Sequence, residues 1–393
     1  MSSDPLVILA ARRTPVGAFQ GAFASVTAPQ LGSVAIKAAL ADSGVDVSQI
    51  DEVIMGCVLS AGLGQAPARQ AALGAGIPAS VPATTVNKMC GSAMRALMLA
   101  GDQILAGSAK VIVAGGLESM TNAPYLLPKA RAGYRMGNQE VLDHMFFDGL
   151  QSPWDGQLMG CFAEATSEKY TFTRKAQDDF AAESVRRALA ATTDGAFAAE
   201  IAPVTTKTRK GETVVDKDET PFTLDIAKIP TLKPAFKKDG TVTAASSSGI
   251  SDGGAALVLA RESFAASQGR KPLARILGYT SFAREPEWFT LAPVGAMQKL
   301  LKRLDWQAQD ADLYEINEAF AAVPMAAIQD LGLDHQKVNV NGGACALGHP
   351  IGATGARIVT TLLHALRARG KKRGIASLCI GGGEATAIAI ELM

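Results

Sequence analysis

Apolar residues recur along the chain in two rhythms. Short runs at 6–11, 53–58, 84–87, 110–114, 255–260, 313–316 and 374–379 predict strands. Between them the spacing changes to that of a helix. Leu31, Val34, Ala35, Ala38 and Ala39 share one face of a helix over 29–43, and Gly44 is a fitting stop. The same spacing predicts helices over 91–106, 174–191, 293–304 and 353–368, and a shorter piece over 69–73. Arg12-Arg13-Thr14-Pro15 reads as a turn after the first strand. Strands alternating with helices predict an α/β fold built from parallel βαβ units.

The alternation stops between 119 and 245. This stretch holds most of the aromatic residues, several prolines and many charges. Within it, 207–217 reads as a polar hairpin with Lys210-Gly211-Glu212 at its tip, and 221–239 as a loop bearing lysines and prolines. A stretch of this length is too long to be structureless in a compact domain, so it reads as an insertion lying over the sheet.

One unit occurs twice. In the first half a strand (84–87), a turn of small residues with Cys90, a helix (91–106) and a strand (110–114) end at Gly115-Gly116. In the second half a strand (338–340), a small-residue turn with His349, a helix (353–369) and a strand (374–379) end at Gly381-Gly382. The order suggests two similar α/β halves with both turns facing one site at the C-terminal ends of the strands.

Composition narrows the class. At 393 residues the chain exceeds one ordinary domain, and 48% hydrophobic against 19% charged residues fits a soluble protein with a large core. A net charge of +1 implies neither nucleic acid nor a membrane surface as partner. The cysteines are five, an odd number without C-x-x-C spacing, and read as thiols in a reducing compartment. No basic leader precedes the first apolar run and no run reaches the length of a membrane span, so the expected location is the cytoplasm. No cluster has zinc-ligand spacing, and no metal is expected.

Cys90 stands where an extended run gives way to a helix. There the dipole and free N–H groups would favour a thiolate, a nucleophile in waiting; the plainer alternative is a small buried hydrophobe. His349 lies between Gly348 and Pro350 in a loop nearly devoid of large side chains. It suits a base for a thiol or a donor to an oxyanion, or else a loop histidine bonded to backbone. Cys379 ends a strand and precedes Gly381-Gly382-Gly383, whose free N–H groups suit an oxyanion hole or a phosphate cradle. Asn317 could orient a water or donate to an oxyanion, or cap a helix beginning at Glu318. The hydroxyls of 243–249 could bond a ligand or merely form a loop.

These stretches together resemble the thiolase family. The resemblance rests on Asn87-Lys88-Met89-Cys90-Gly91-Ser92-Ala93-Met94-Arg95-Ala96, Gly115-Gly116-Leu117-Glu118-Ser119-Met120, Asn317-Glu318-Ala319-Phe320, Asn341-Gly342-Gly343, the run from Gly348-His349-Pro350 to Gly355-Ala356-Arg357, and Cys379-Ile380-Gly381-Gly382-Gly383. It implies two βαβαβαββ halves in a five-layered α-β-α-β-α core, with an N-terminal half at 1–118 and 249–270, a loop domain at 119–248 and a C-terminal half at 271–393. It implies acetyl-CoA C-acetyltransferase chemistry on acyl-CoA and CoA, without a resident cofactor, in a homotetramer built as a dimer of dimers.

In residue terms the resemblance makes Cys90 the acyl carrier, His349 its activator and Cys379 the proton shuttle. The N–H groups of Cys90 and Gly381 would hold one oxyanion, and His349 with a water on Asn317 the other. Leu150, Leu158, Met159, Phe236, Ala244, Ser248, Ala319 and Phe320 would line the substrate site. Short-chain condensing members are typified by His-Met-Gly where this chain has Leu158-Met159-Gly160. That departure keeps open a 3-ketoacyl-CoA thiolase of broader chain length, and a non-catalytic acyl-CoA-binding relative is the alternative of another class. Ser246 stands where Asn is frequent, and Glu384-Ala385 where many members have another pair. Lys228, Lys233, Lys237 and Lys238 are candidates for the nucleotide phosphates.

Overall fold

The computed structural model describes residues 4–208 and 211–393. In chain order the first elements are β1 (Leu6–Arg13), β2 (Gly17–Ala18), α1 (Ala28–Ser43), β3 (Glu52–Gly56), α2 (Pro67–Gly74), β4 (Ala83–Val86), α3 (Ser92–Ala106) and β5 (Val111–Ser119). Gly44 ends α1 in the left-handed region at φ 61°, as its sequence position predicts. The intervening stretch holds β6 (Tyr125–Leu126), β7 (Leu142–Asp143), a π-helical turn at Met145–Leu150, α4 (Met159–Lys169), α5 (Arg174–Thr193), and the hairpin of β8 (Val204–Thr208) and β9 (Gly211–Val215). Lys210 at the predicted hairpin tip lies outside the described residues. The chain continues as β10 (Ser251–Arg261), α6 (Glu262–Ser267), β11 (Ala274–Ala283), α7 (Ala292–Leu304), β12 (Leu313–Ile316), α8 (Ala322–Leu331), a single turn α9 (Ala344–Leu347), α10 (Thr354–Ala368), β13 (Arg373–Ile380) and β14 (Glu384–Leu392).

The main sheet runs β12-β13-β14-β11-β1-β10-β5-β3-β4, with β2 on β10. It is mixed rather than parallel throughout. Only β3–β4, β3–β5 and β12–β13 are parallel, because β10 and β14 return antiparallel beside β5 and β13. The two halves of the sheet meet at β1 and β11 through only two residue pairs, Val7–Arg275 and Ile8–Ala274.

Strand side chains alternate between two cores. Val53, Met55 and Val258 face α1 and α2, whereas Ile54, Leu257 and Leu259 face α3 and α10. Leu378 and Ile388 reach that central helical layer from the other half of the sheet. Ile375, Ala387 and Ala389 point the opposite way, against α7 and α8. The layers are therefore α-β-α-β-α. Among the described residues no helix is long and apolar enough to cross a membrane.

Three expectations change. Residues 12–13 continue β1 instead of turning. Arg13 is fully buried and reaches into the intervening stretch, donating to Glu200 at 2.5 Å and to both oxygens of Asp218 at 2.7 and 2.9 Å. Residues 338–340 are not a strand. Asn339, at φ 49°, makes with its side-chain amide the two 2.8 Å bonds to Ile316 N and O that a neighbouring strand would make. Only the single bridge Tyr314–Val338 remains. Finally, α8 begins at Ala322, so Asn317 does not cap it.

Candidate active site

The two turns singled out by the sequence meet in the central layer. Gly355, at the start of α10, lies so close to α3 that a β-carbon there would sit 2.3 Å from Met94 N. A β-carbon on Gly116 would meet Gly352 O at 2.1 Å. Glycine at these positions lets the His349 loop settle onto the first half of the chain.

The Cys90 turn is held by its own side chains. Asn87 Oδ1 accepts from Met89 N at 2.9 Å, and Ser92 Oγ accepts from Lys88 N at 2.8 Å while donating to Met89 O at 2.6 Å. Met89 is thereby kept at φ 47°, a conformation a large side chain rarely adopts. Gly91 is the N-cap of α3, and a β-carbon on it would collide with Ile380. That close approach brings the Gly381 loop over the sulfur. Lys88 also pairs with Glu384, the residue that departs from the usual pattern.

Burial decides the charge state of Cys90. The Gly381 N–H and the Cys90 N–H both favour its thiolate, yet desolvation outweighs them and pushes the thiol up to about 11. The helix N-terminus and these two N–H groups pull toward the expected thiolate, and desolvation of the half-buried sulfur pulls the other way. Cys379 is fully buried, and burial together with neighbouring Cys90 raises its thiol as well.

His349 is buried. Its Nδ1 lies 2.7 Å from Thr354 Oγ1, which donates its one proton to Pro350 O at 2.9 Å. The imidazole proton therefore sits on Nδ1, and Nε2 presents its lone pair toward Asn317 Nδ2 at 3.4 Å. Burial, with help from the Arg357 charge, pulls His349 down to about 3 and keeps it neutral. Asn317 is buried too, and its Oδ1 has no hydrogen-bond partner among the described residues.

Beside this group opens a cavity of about 350 Å³. Leu150, Leu158, Met159, Phe236, Ala244, Ser248, Ala319 and Phe320, the eight residues expected at a substrate site, all line this cavity. His349 forms part of the same wall. Gly160, Ala235, Ser247 and Gly249 line it too, as do Met120, Phe146, Ile250 and Ile351, and sequence reasoning missed the last four. Met120 was within reach, as the last residue of the quoted Gly115–Met120 motif. Ile351 was also within reach, two residues after His349. Thr354 was missed likewise, although its place five residues after His349 on the same loop was a usable signal. Ser246 Oγ accepts from Thr243 N at 2.9 Å and so shapes the loop beside the cavity. Of the candidate lysines, Lys228 pairs with Asp225 and Lys237 with Glu168.

Fold and site together define a two-halved α/β protein in which two neighbouring thiols meet the Gly381 N–H, and a buried imidazole lines a cavity whose wall residues Leu150, Ile250 and Ile351 share a cluster with Cys90. Family models agree with this architecture: the thiolase N-terminal domain matches residues 6–263 and the thiolase C-terminal domain residues 270–392. The chain is 50% identical to an acetyl-CoA acetyltransferase of Cupriavidus necator, over 98% of this chain and 99% of that protein. It is 51% identical to one of Escherichia coli, over 98% of each. Among solved structures, the Bacillus anthracis acetyl-CoA acetyltransferase superposes with a TM-score of 0.97 at 44% identity, covering 99% of both chains. The Acat5 thiolase of Ascaris suum, in complex with coenzyme A, superposes with 0.94 at 43% identity, covering 99% of this chain and all of that one. The chain belongs to the thiolase family.

Proposed function

We propose that this chain is an acetyl-CoA C-acetyltransferase, joining two acetyl-CoA molecules reversibly into acetoacetyl-CoA and CoA. The carrying observation is the meeting of Cys90, Cys379 and the Gly381 N–H, with His349 on the wall of an apolar cavity, in a chain about half identical to acetyl-CoA acetyltransferases along its whole length.

In the first half-reaction Cys90 Sγ attacks the thioester carbonyl and His349 Nε2 takes its proton. The Cys90 and Gly381 N–H groups receive the oxyanion. CoA departs with a proton from Cys379, leaving an acetyl group on Cys90 and a thiolate on Cys379. In the second half-reaction that thiolate removes a proton from the α-carbon of another acetyl-CoA. Its enolate oxygen lies against His349 and a water on Asn317, and the carbon attacks acetyl-Cys90; the thioester C–S bond breaks, acetoacetyl-CoA leaves, and the Cys90 thiolate takes back the proton held by His349 while Cys379 keeps the α-proton. Thiol and imidazole suffice for these steps, so CoA thioesters enter as substrates and no resident cofactor is required. Cys379→Ala retains slow acylation of Cys90 and loses condensation; equal loss of both half-reactions in labelled acetyl-CoA assays would count against this division of roles.

A second reading, a 3-ketoacyl-CoA thiolase of broader chain length, is favoured by one feature: Leu158 gives the cavity an apolar wall where short-chain members have histidine. Thiolysis of 3-ketoacyl-CoA substrates from four carbons upward separates the two. A preference for acetoacetyl-CoA supports the first, and rising kcat/KM with chain length supports the second. Loss of all turnover in wild type would contradict both.

The five cysteines are free, which suits the reducing cytoplasm. A homotetramer, a dimer of dimers, is consistent with the open edge of β4 and with exposed Tyr125, Leu127, Met136 and Val141.

A further inference from the structure

Glu118 is fully buried, and among the described residues no lysine or arginine pairs with it. Its carboxylate is satisfied by backbone. Oε1 accepts from Leu59 N at 3.1 Å and faces Cys57 Sγ at 3.7 Å. Oε2 accepts from Val58 N at 3.0 Å and from Gly352 N at 2.8 Å. One side chain from the end of β5 thus clasps two loops from opposite halves of the molecule.

Each loop leads to a reacting group. Gly352 closes the segment that carries His349, whose own N–H bonds to Gly249 O at 3.0 Å. On the other side, Val58 O accepts from Asn87 Nδ2 at 3.5 Å, and Asn87 fixes Met89 next to Cys90. Val58, Leu59 and Ile351 pack in one cluster that Cys90 and Met89 border. A continuous series of contacts therefore runs from the His349 loop through Glu118 and Val58 to the Cys90 turn. Gly352 has no slack in this arrangement, since a β-carbon there would lie 2.5 Å from Glu118 Oε2 and 2.9 Å from Leu117 O.

We propose that Glu118 is a positioning residue that seats the His349 loop against the Cys90 turn and so sets the distance over which the proton passes. This rests on the roles given above to Cys90 and His349. A carboxylate is required because four donors converge on it. In Glu118→Gln the amide offers one acceptor oxygen, and its NH2 must face either Leu59 N–H and Cys57 or Val58 N–H and Gly352 N–H. The buried donors left unpaired pull the loops apart. Glu118 does not itself line the cavity, and most of the wall belongs to other segments, so thioester binding is affected less than the rate.

The test compares wild type with E118Q, E118D, H349A and E118Q/H349A as full-length protein. E118Q is expected to lose about 100-fold in kcat and in the rate of Cys90 acylation, with KM for acetoacetyl-CoA within about threefold. E118D keeps the charge but is one methylene short of reaching both loops, and loses kcat in the same way; it carries the test if E118Q does not fold. The double variant is expected to be no slower than H349A, because Glu118 acts through His349. Wild-type kcat in E118Q or E118D, a loss confined to KM, or full additivity with H349A overturns the proposal. Wild-type turnover in H349A would instead overturn the underlying assignment of His349, whatever E118Q does.

Discussion

Burial acts on Cys90 and on His349 in the same sense, against the charged form of each. The thiol titrates at about 11 and the imidazole at about 3, both because burial penalises the charged form. Alkylation reports this directly, since only the thiolate reacts. Below its pKa the thiolate fraction rises with pH, so carbamidomethylation of Cys90 is expected to speed up about tenfold per pH unit from 7 to 10. Peptide mapping that showed a plateau centred near pH 7 would contradict the buried-thiol account. The identity of Cys90 was legible, because a cysteine at a strand-to-helix junction among small residues is an unusual pattern. Its charge state was not. Helix position is written in local sequence, whereas the burial of the thiol, the Gly381 N–H that opposes it and the Glu118 charge that adds to it are set by segments distant along the chain.

At the scale of elements, what was hidden lay where side chains replaced or interrupted regular backbone. β11 alternates buried and half-buried residues, but a register shift between Ile276 and Gly278 breaks its period. β14 follows three glycines and is rich in alanine, a poor strand former, and no strand is predicted there from the sequence. Asn339 stands in for a strand with one amide. Arg13 was read as part of a turn because arginine is rarely a core residue. Its role is to fasten the 119–248 stretch to β1 through Glu200 and Asp218, with Phe197 under the guanidinium at 4.9 Å. Removing it strands two carboxylates without access to water. Arg13→Ala is therefore expected to destabilise the fold by about 3–5 kcal/mol, the range for breaking one partner out of a buried ion pair. Urea unfolding measures it, and a change below about 1 kcal/mol, typical of a surface pair, would show that the network is not a structural tie.

At the scale of the whole molecule, several buried ionisable groups give the stability a predictable dependence on pH. Burial raises Glu118 to about 7 and Glu315 to about 8, the latter against the opposing pull of Arg357. In the unfolded chain such carboxyls ionise near about 4.3. From there up to about 8 the folded protein holds more protons than the unfolded one, so these groups contribute fully at low pH and their contribution falls as pH rises. His349 acts in the other direction. Folding lowers it to about 3, so below about 6.5 the unfolded chain takes up a proton that the folded chain refuses, and stability falls as pH falls. Between about 4.3 and 6.5 the two effects oppose each other; above that window only the carboxyls remain. Calorimetry is expected to show a falling Tm from pH 6.5 to 8.5, with each group contributing at most about 1.4 kcal/mol per pH unit. Glu118→Gln removes one of the two titrations and should flatten that fall while lowering Tm overall. An unchanged slope in E118Q would mean that Glu118 is already ionised in the folded protein at pH 6.5, held so by the three backbone N–H groups that converge on it.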